Sequence, residues 1–98
     1  MKDYVTAREF YEKLEQGWKV IDVRSPQELK YLQKFPNSIN IPYPEVVDRM
    51  THYFPDKNVK LITLCNAGNR SGMTARAFRR RGYLNVYVLN GGIEGLDL

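Results

Sequence analysis

Cys65 is the only cysteine in a chain of 98 residues, and it opens the string Cys65-Asn66-Ala67-Gly68-Asn69-Arg70-Ser71. A cysteine acts as a nucleophile only as the thiolate, so its surroundings decide whether it does chemistry. The apolar run Leu61-Ile62-Thr63-Leu64 ends directly before it, and a helix-forming stretch from Ser71 to Arg81 begins at the string's last residue. The string is therefore read as a strand-to-helix turn. At a helix N-terminus the first amides lack intrahelical partners and the peptide dipoles present partial positive charge, which favours thiolate over thiol. Gly68 can adopt backbone angles closed to other residues, curling successive N–H groups inward as an anion nest. Arg70 adds a permanent positive charge, and Ser71 a hydroxyl that can cap the helix and donate to the sulfur. Each unit of depression below a free thiol pKa of about 8.5 favours the ionised form by about 1.4 kcal/mol. A cysteine that is merely a small buried hydrophobe explains the apolar strand, but not Gly, Arg and Ser at these offsets. The chemistry indicated is attack by an acidified thiolate held in an amide-lined cradle.

Other reactive side chains are few. With one cysteine and one histidine, an internal disulfide is excluded and a metal site is not expected, since structural zinc needs about four ligands. His52 invites a general-base role, but a thiolate held by the loop needs no base, so a surface or helix-end position is expected. Asp22 and Arg24 flank Val23, and strand alternation projects both away from it. They form either a structural ion pair or a brace standing behind the loop.

Elements able to position these residues follow from local signals. Thr6-Ala7-Arg8-Glu9 has capping-box spacing and predicts a helix from Ala7 to about Gln16, with Phe10, Tyr11 and Leu14 on its inner face and Gly17 ending it. Lys19 to Val23 reads as a short buried strand, and Ser25-Pro26-Gln27-Glu28 as a second capping box opening a helix. Ile39-Asn40-Ile41 is a minor strand in a Pro- and Asn-rich segment. One helix then opens at Pro44, carries Val46, Val47 and Met50, and ends near His52. Val59 to Leu64 is the strand feeding the cysteine. Gly82 stops the long helix, Val86 to Leu89 is the last strand, and Gly91-Gly92 turns into a short terminal helix. Strands alternating with helices imply crossover connections and a parallel core, with ligands beyond the carboxyl ends of the strands, where the Cys65 loop falls.

Cys65-x-x-Gly68-x-Arg70-Ser71, Asp22-Val23-Arg24-Ser25-Pro26-x-Glu28, Ile39-Asn40-Ile41-Pro42 and Leu89-Asn90-Gly91-Gly92-Ile93 occur in that order. Together, across about Val20 to Ile93, they resemble a single-domain rhodanese, a sulfurtransferase. The resemblance implies an α/β rhodanese fold with a central, mostly parallel β-sheet and helices on both faces. It also implies that Cys65 takes sulfane sulfur from a small-molecule donor (thiosulfate, polysulfide or persulfide), holds it as a persulfide, and passes it to cyanide, a thiol or a protein acceptor, with no cofactor. Having no second cysteine, the chain must discharge that sulfur externally. Phosphatase and arsenate reductase-like relatives on this scaffold place the arginine one position further from the cysteine, which widens the cradle for a tetrahedral oxyanion; here the shorter ring suits a single sulfur. A third alternative is a non-catalytic docking module, but such versions generally lack the nucleophile. Many relatives carry arginine directly after the cysteine, where this chain has Asn66, which removes a cation and lowers the expected preference for thiosulfate.

The length suits one domain over residues 1–98, since domains of roughly 50 to 200 residues are usual. The first residues are charged and lack a secretory apolar core, and no apolar stretch approaches the ~20 residues that cross a bilayer. A cytoplasmic, reducing location is expected, without membrane association. Net charge is +4, yet the basic residues are spread out except for Arg76, Arg79, Arg80 and Arg81. With Ser71, Thr74, Ala75 and Phe78 as the packing face, those arginines fall on the opposite side as a solvated flank, or as a field for anionic donors or an acidic partner. No aromatic interleaving or motif points to nucleic acid. The sequence sets no oligomeric state.

Overall fold

The computed structural model describes residues 2–98, so Met1, the first residue of the expected domain, lies outside it. Five strands form one sheet: β1 (Tyr4–Val5), β2 (Lys19–Asp22), β3 (Ile39–Asn40), β4 (Leu61–Leu64) and β5 (Val86–Leu89). Their order is β1-β5-β4-β2-β3, and every pairing is parallel. The expected mostly parallel sheet is thus wholly parallel. Four α-helices accompany it: α1 (Ala7–Glu15), α2 (Glu45–Asp48), α3 (Met50–Tyr53) and α4 (Asn69–Arg80).

Central β4 explains the apolar run before the cysteine. All four of its residues are buried, as a strand covered on both faces must be. Alternation divides them. Leu61 and Cys65 join the core beneath α2, α3 and α4 with Ile21, Val23, Val46, Met50, Phe54 and Phe78. Ile62 and Leu64 join Val5, Phe10, Val20 and Leu89 on the face covered by α1. Register sets Asp22 of β2 beside Leu64 of β4 and Asn40 of β3 beside Asp22, so the ends of three adjacent strands deliver their next residues to one rim.

The capping box at Thr6 forms in both directions, with Glu9 N–H donating to Thr6 Oγ1 (3.2 Å) and Thr6 N–H to Glu9 Oε1 (3.0 Å). The second box also closes, Ser25 N–H donating to Glu28 Oε2 (2.8 Å) and Glu28 N–H to Ser25 Oγ (3.2 Å). Only a 3₁₀ turn over Glu28–Lys30 follows it, in place of the expected helix. Tyr31 and Leu32 stay exposed, so no apolar face repays propagation, and short helices without packing are marginal in water.

Other boundaries shift for tertiary reasons. The single helix expected from Pro44 is two, broken at Arg49 (φ −122°, ψ 32°). After the break Phe54 packs edge-on against Phe78, ring centroids 6.1 Å apart, and its carbonyl accepts the Tyr83 hydroxyl. Strand β2 ends at Asp22 and β4 begins at Leu61, both later or shorter than read from the sequence, whereas β5 spans the expected residues. Strand β1 was not anticipated. Helix α4 starts at Asn69, two residues before Ser71, and buries Ser71, Thr74, Ala75 and Phe78 as expected. Arg79 departs from the solvated flank: its Nε donates to the Val86 carbonyl (2.7 Å) and its guanidinium lies over the Tyr87 ring at 4.5 Å.

Candidate functional site

Cys65 is the first residue after β4, at the carboxyl edge of the sheet, and is 2% exposed. Two residues earlier, Thr63 Oγ1 donates to the Ser71 carbonyl (2.9 Å), tying the strand to the first turn of α4. Gly68 caps that helix at φ 115°, a conformation that favours glycine. Its N–H donates to Cys65 Sγ at 3.2 Å, and the Ser71 N–H reaches the same sulfur at 3.5 Å. Ser71 Oγ lies 3.2 Å from Sγ. The nest inferred from Gly68 therefore closes on the sulfur itself.

Opposed effects set the thiol's acidity. Burial, the largest, pushes its pKa up. The Ser71 hydroxyl and the backbone amides of Ser71, Gly68 and Arg70 pull it down, and they prevail, leaving Cys65 more acidic than an ordinary thiol. Hydrogen bonds to the charged form account for that direction.

Behind the cradle stands a carboxylate hub. Arg70 donates two hydrogen bonds to Glu28, Nη1 to Oε2 (2.7 Å) and Nη2 to Oε1 (2.9 Å). Asn66 Nδ2 donates to Glu28 Oε1 at 3.1 Å. These Arg70 bonds, then those from Ser25, hold the Glu28 carboxyl well below the usual carboxylate range. The sequence read Glu28 as a capping residue and left the Arg70 charge free; in the fold the two are an ion pair. The signal lay in the Asp22-to-Glu28 motif, whose last member had no assigned task beyond its own turn.

Asp22 and Arg24 are ion-paired, and Arg24 also reaches the loop. They form a fork, Nε to Oδ1 at 3.0 Å and Nη2 to Oδ2 at 2.8 Å, with neither side chain exposed at all. Arg24 Nη1 then donates to Asn66 Oδ1 (2.9 Å), so the pair also bears on the loop. Asn40 Nδ2 donates to the carbonyls of Asp22 (3.0 Å) and Arg24 (2.8 Å), adding a residue that sequence reasoning gave no part. On the other side, Ile93 N–H donates to the Cys65 carbonyl (2.8 Å) and Glu94 N–H to the Asn66 carbonyl (3.0 Å). Ala67 and Asn69 are exposed on the outer arc of the loop. His52 is exposed at the end of α3, its ring against Tyr53 at 5.2 Å. Among the described residues, no three His, Cys, Asp or Glu side chains converge as a metal site would require. Nor is any helix among them long and apolar enough to cross a membrane.

Comparison with known proteins gives the arrangement a lineage. The family model described as a rhodanese-like domain matches residues 6–97. Thiosulfate sulfurtransferase PspE of Escherichia coli (strain K12) is 38% identical over 66 residues, 67% of this chain. Adenylyltransferase and sulfurtransferase MOCS3 of Drosophila persimilis is 34% identical over 80 residues, 76% of this chain. The chain spans 62% of the length of the first relative and 18% of the second. Among solved structures, a rhodanese-related protein from Thermoplasma volcanium superimposes with a TM-score of 0.72 at 30% identity, over 93% of this chain and 86% of its own.

Proposed function

The chain belongs to the rhodanese-like domain family, and we propose that it is a sulfurtransferase working through a persulfide on Cys65. The observation that carries this reading is the convergence of the Gly68 and Ser71 amides and the Ser71 hydroxyl on the sulfur of the one cysteine.

In the proposed first step the Cys65 thiolate attacks the outer sulfur of a sulfane donor. The donor S–S bond breaks, its electron pair leaves with the departing group (sulfite, when the donor is thiosulfate), and a new Sγ–S bond forms. An acceptor thiolate or cyanide then attacks the transferred sulfur, and Cys65 departs as thiolate. An ionised persulfide carries its charge on the added sulfur, and the cradle of Asn66, Ala67, Gly68, Asn69, Arg70 and Ser71 stabilises it with donors already in place. Arg70 keeps the arc closed through Glu28, while Asp22 and Arg24 fix Asn66 from behind. No cofactor enters either step. A reducing compartment such as the cytoplasm would keep the lone thiol available.

A phosphatase or arsenate reductase on the same scaffold would need a cradle sized for an oxyanion, and the five-residue step from Cys65 to Arg70 argues for the sulfur reading. Intact mass after treatment with thiosulfate or polysulfide tests it: one sulfur is gained by the wild type and none by Cys65→Ser. Hydrolysis of an aryl phosphate dependent on Cys65, with no sulfur adduct from any sulfane donor, would transfer the assignment to the phosphatase.

A further inference from the structure

We infer that the sulfur donor of this site is an organic persulfide, R–S–SH, in preference to an inorganic dianion such as thiosulfate; this rests on the sulfurtransferase reading above. Charge pairing around the loop is the first ground. Two guanidiniums hold the loop, and each is already met by a carboxylate: Arg24 by Asp22 at 2.8 Å and Arg70 by Glu28 at 2.7 Å. Residue 66, the first after the nucleophile, is an uncharged Asn whose amide group is itself engaged by Arg24 and Glu28. The cradle thus offers amide dipoles suited to one thiolate. A second negative charge would have to be desolvated against pairs already neutralised, which is unfavourable at short range.

The second ground is space. A cavity of about 420 Å³ adjoins the loop, lined by Arg24, Leu32, Gln33, Asn66, Ile93 and Glu94. Its volume is in the range of organic ligand sites, far beyond the needs of a five-atom anion. Leu32 and Ile93 give it apolar wall, and Glu94 contributes a carboxylate that repels a dianion and attracts an ammonium group. An amino-acid-sized R group satisfies both features.

The transfer balances without a further reactant. Cys65 thiolate attacks the outer sulfur of R–S–SH, the R–S to S bond breaks, and its electron pair leaves as R–S⁻. The hydrogen stays with the transferred sulfur, giving Cys65–S–SH.

Rapid-quench intact mass spectrometry of the full chain tests the inference, with cysteine persulfide and thiosulfate as the two probes at equal concentration, pH and salt. Wild-type loading should be about tenfold or more faster from cysteine persulfide, and Asn66→Arg should raise the thiosulfate rate relative to the persulfide rate about tenfold. Because Asn66 is bonded on both sides, Glu94→Lys serves as a second variant at an exposed rim position, with a smaller gain in the same direction. Thiosulfate loading the wild type as fast as cysteine persulfide overturns the inference and leaves the sulfurtransferase reading standing. So does a donor ratio that neither charge variant moves. Failure of both donors to load Cys65 defeats the sulfurtransferase reading itself.

Discussion

Gly92 presses its backbone against the peptide that follows Cys65: a Cβ placed on it would stand 2.6 Å from the Cys65 carbonyl oxygen and 2.3 Å from that of Asn66. Its backbone also lies at φ 64°, ψ −165°, where side chains are strained. Gly92→Ala must therefore displace the loop or the turn. Denaturant titration should show a loss of about 2–4 kcal/mol. Sulfur loading of Cys65 should fall even where the variant remains folded, and a variant with wild-type stability and loading would show that the contact does not position the loop.

Cys65 acidity depends on donors that can be removed singly. The rate of alkylation by iodoacetamide should rise through an inflection below that of a free cysteine thiol, because the Ser71 hydroxyl and loop amides outweigh burial. Ser71→Ala removes the hydroxyl and leaves the amides, so the inflection should move upward. An unchanged profile would mean that the hydroxyl does not stabilise the thiolate.

The Glu28 hub makes a prediction about acid. Its folded carboxyl sits below the ordinary value of 4.5, chiefly through the Arg70 hydrogen bonds. A depressed carboxylate stabilises the fold above the unfolded pKa and loses that contribution as pH falls through the folded one. Stability attributable to Glu28 should thus be level from neutrality to about pH 5 and decline only below 4.5. Glu28→Gln should cost about 2 kcal/mol at neutral pH and shrink the acid decline. An equal decline in wild type and variant would remove Glu28 from the account.

Asp22 and Arg24 are a buried pair, so breaking one partner differs from replacing both. Asp22→Ala strands an unexposed guanidinium and should destabilise by about 3–5 kcal/mol. Changing both, Asp22→Ala with Arg24→Met, should recover part of that loss in thermal unfolding while leaving Asn66 without its Arg24 bond and slowing sulfur loading. A double variant that loads sulfur at the wild-type rate would show the pair to be structural only.

Short-range signals in the sequence were realised where few distant partners compete. The Thr6/Glu9 capping box needs only four consecutive residues, and the buried face of α4 needs only its own periodicity. Strand β1 was hidden because two residues, Tyr4 and Val5, have no pattern of their own; they are a strand only through pairing with Val88 and Leu89. The helix expected after Ser25 failed because capping specifies where a helix starts, while packing decides whether it continues. Within the site, the cysteine and the amides that close on its sulfur were legible because they are contiguous. The hub was not, since Glu28 and Arg70 are 42 positions apart and nothing in either local pattern announces the other. Arg79 is the same lesson on the surface, where the ring of Tyr87 and the carbonyl of Val86 convert a charged flank into packing.

Burial of the thiol at 2% exposure has a consequence for product choice. Were Cys65 to carry a second sulfur, that atom would stand one S–S bond, about 2 Å, beyond Sγ, while Sγ stayed shielded by the loop. An incoming thiol would meet only the outer atom. Attack on the inner atom would release hydrogen sulfide and leave the protein trapped as a mixed disulfide, an outcome that the burial of Sγ would disfavour.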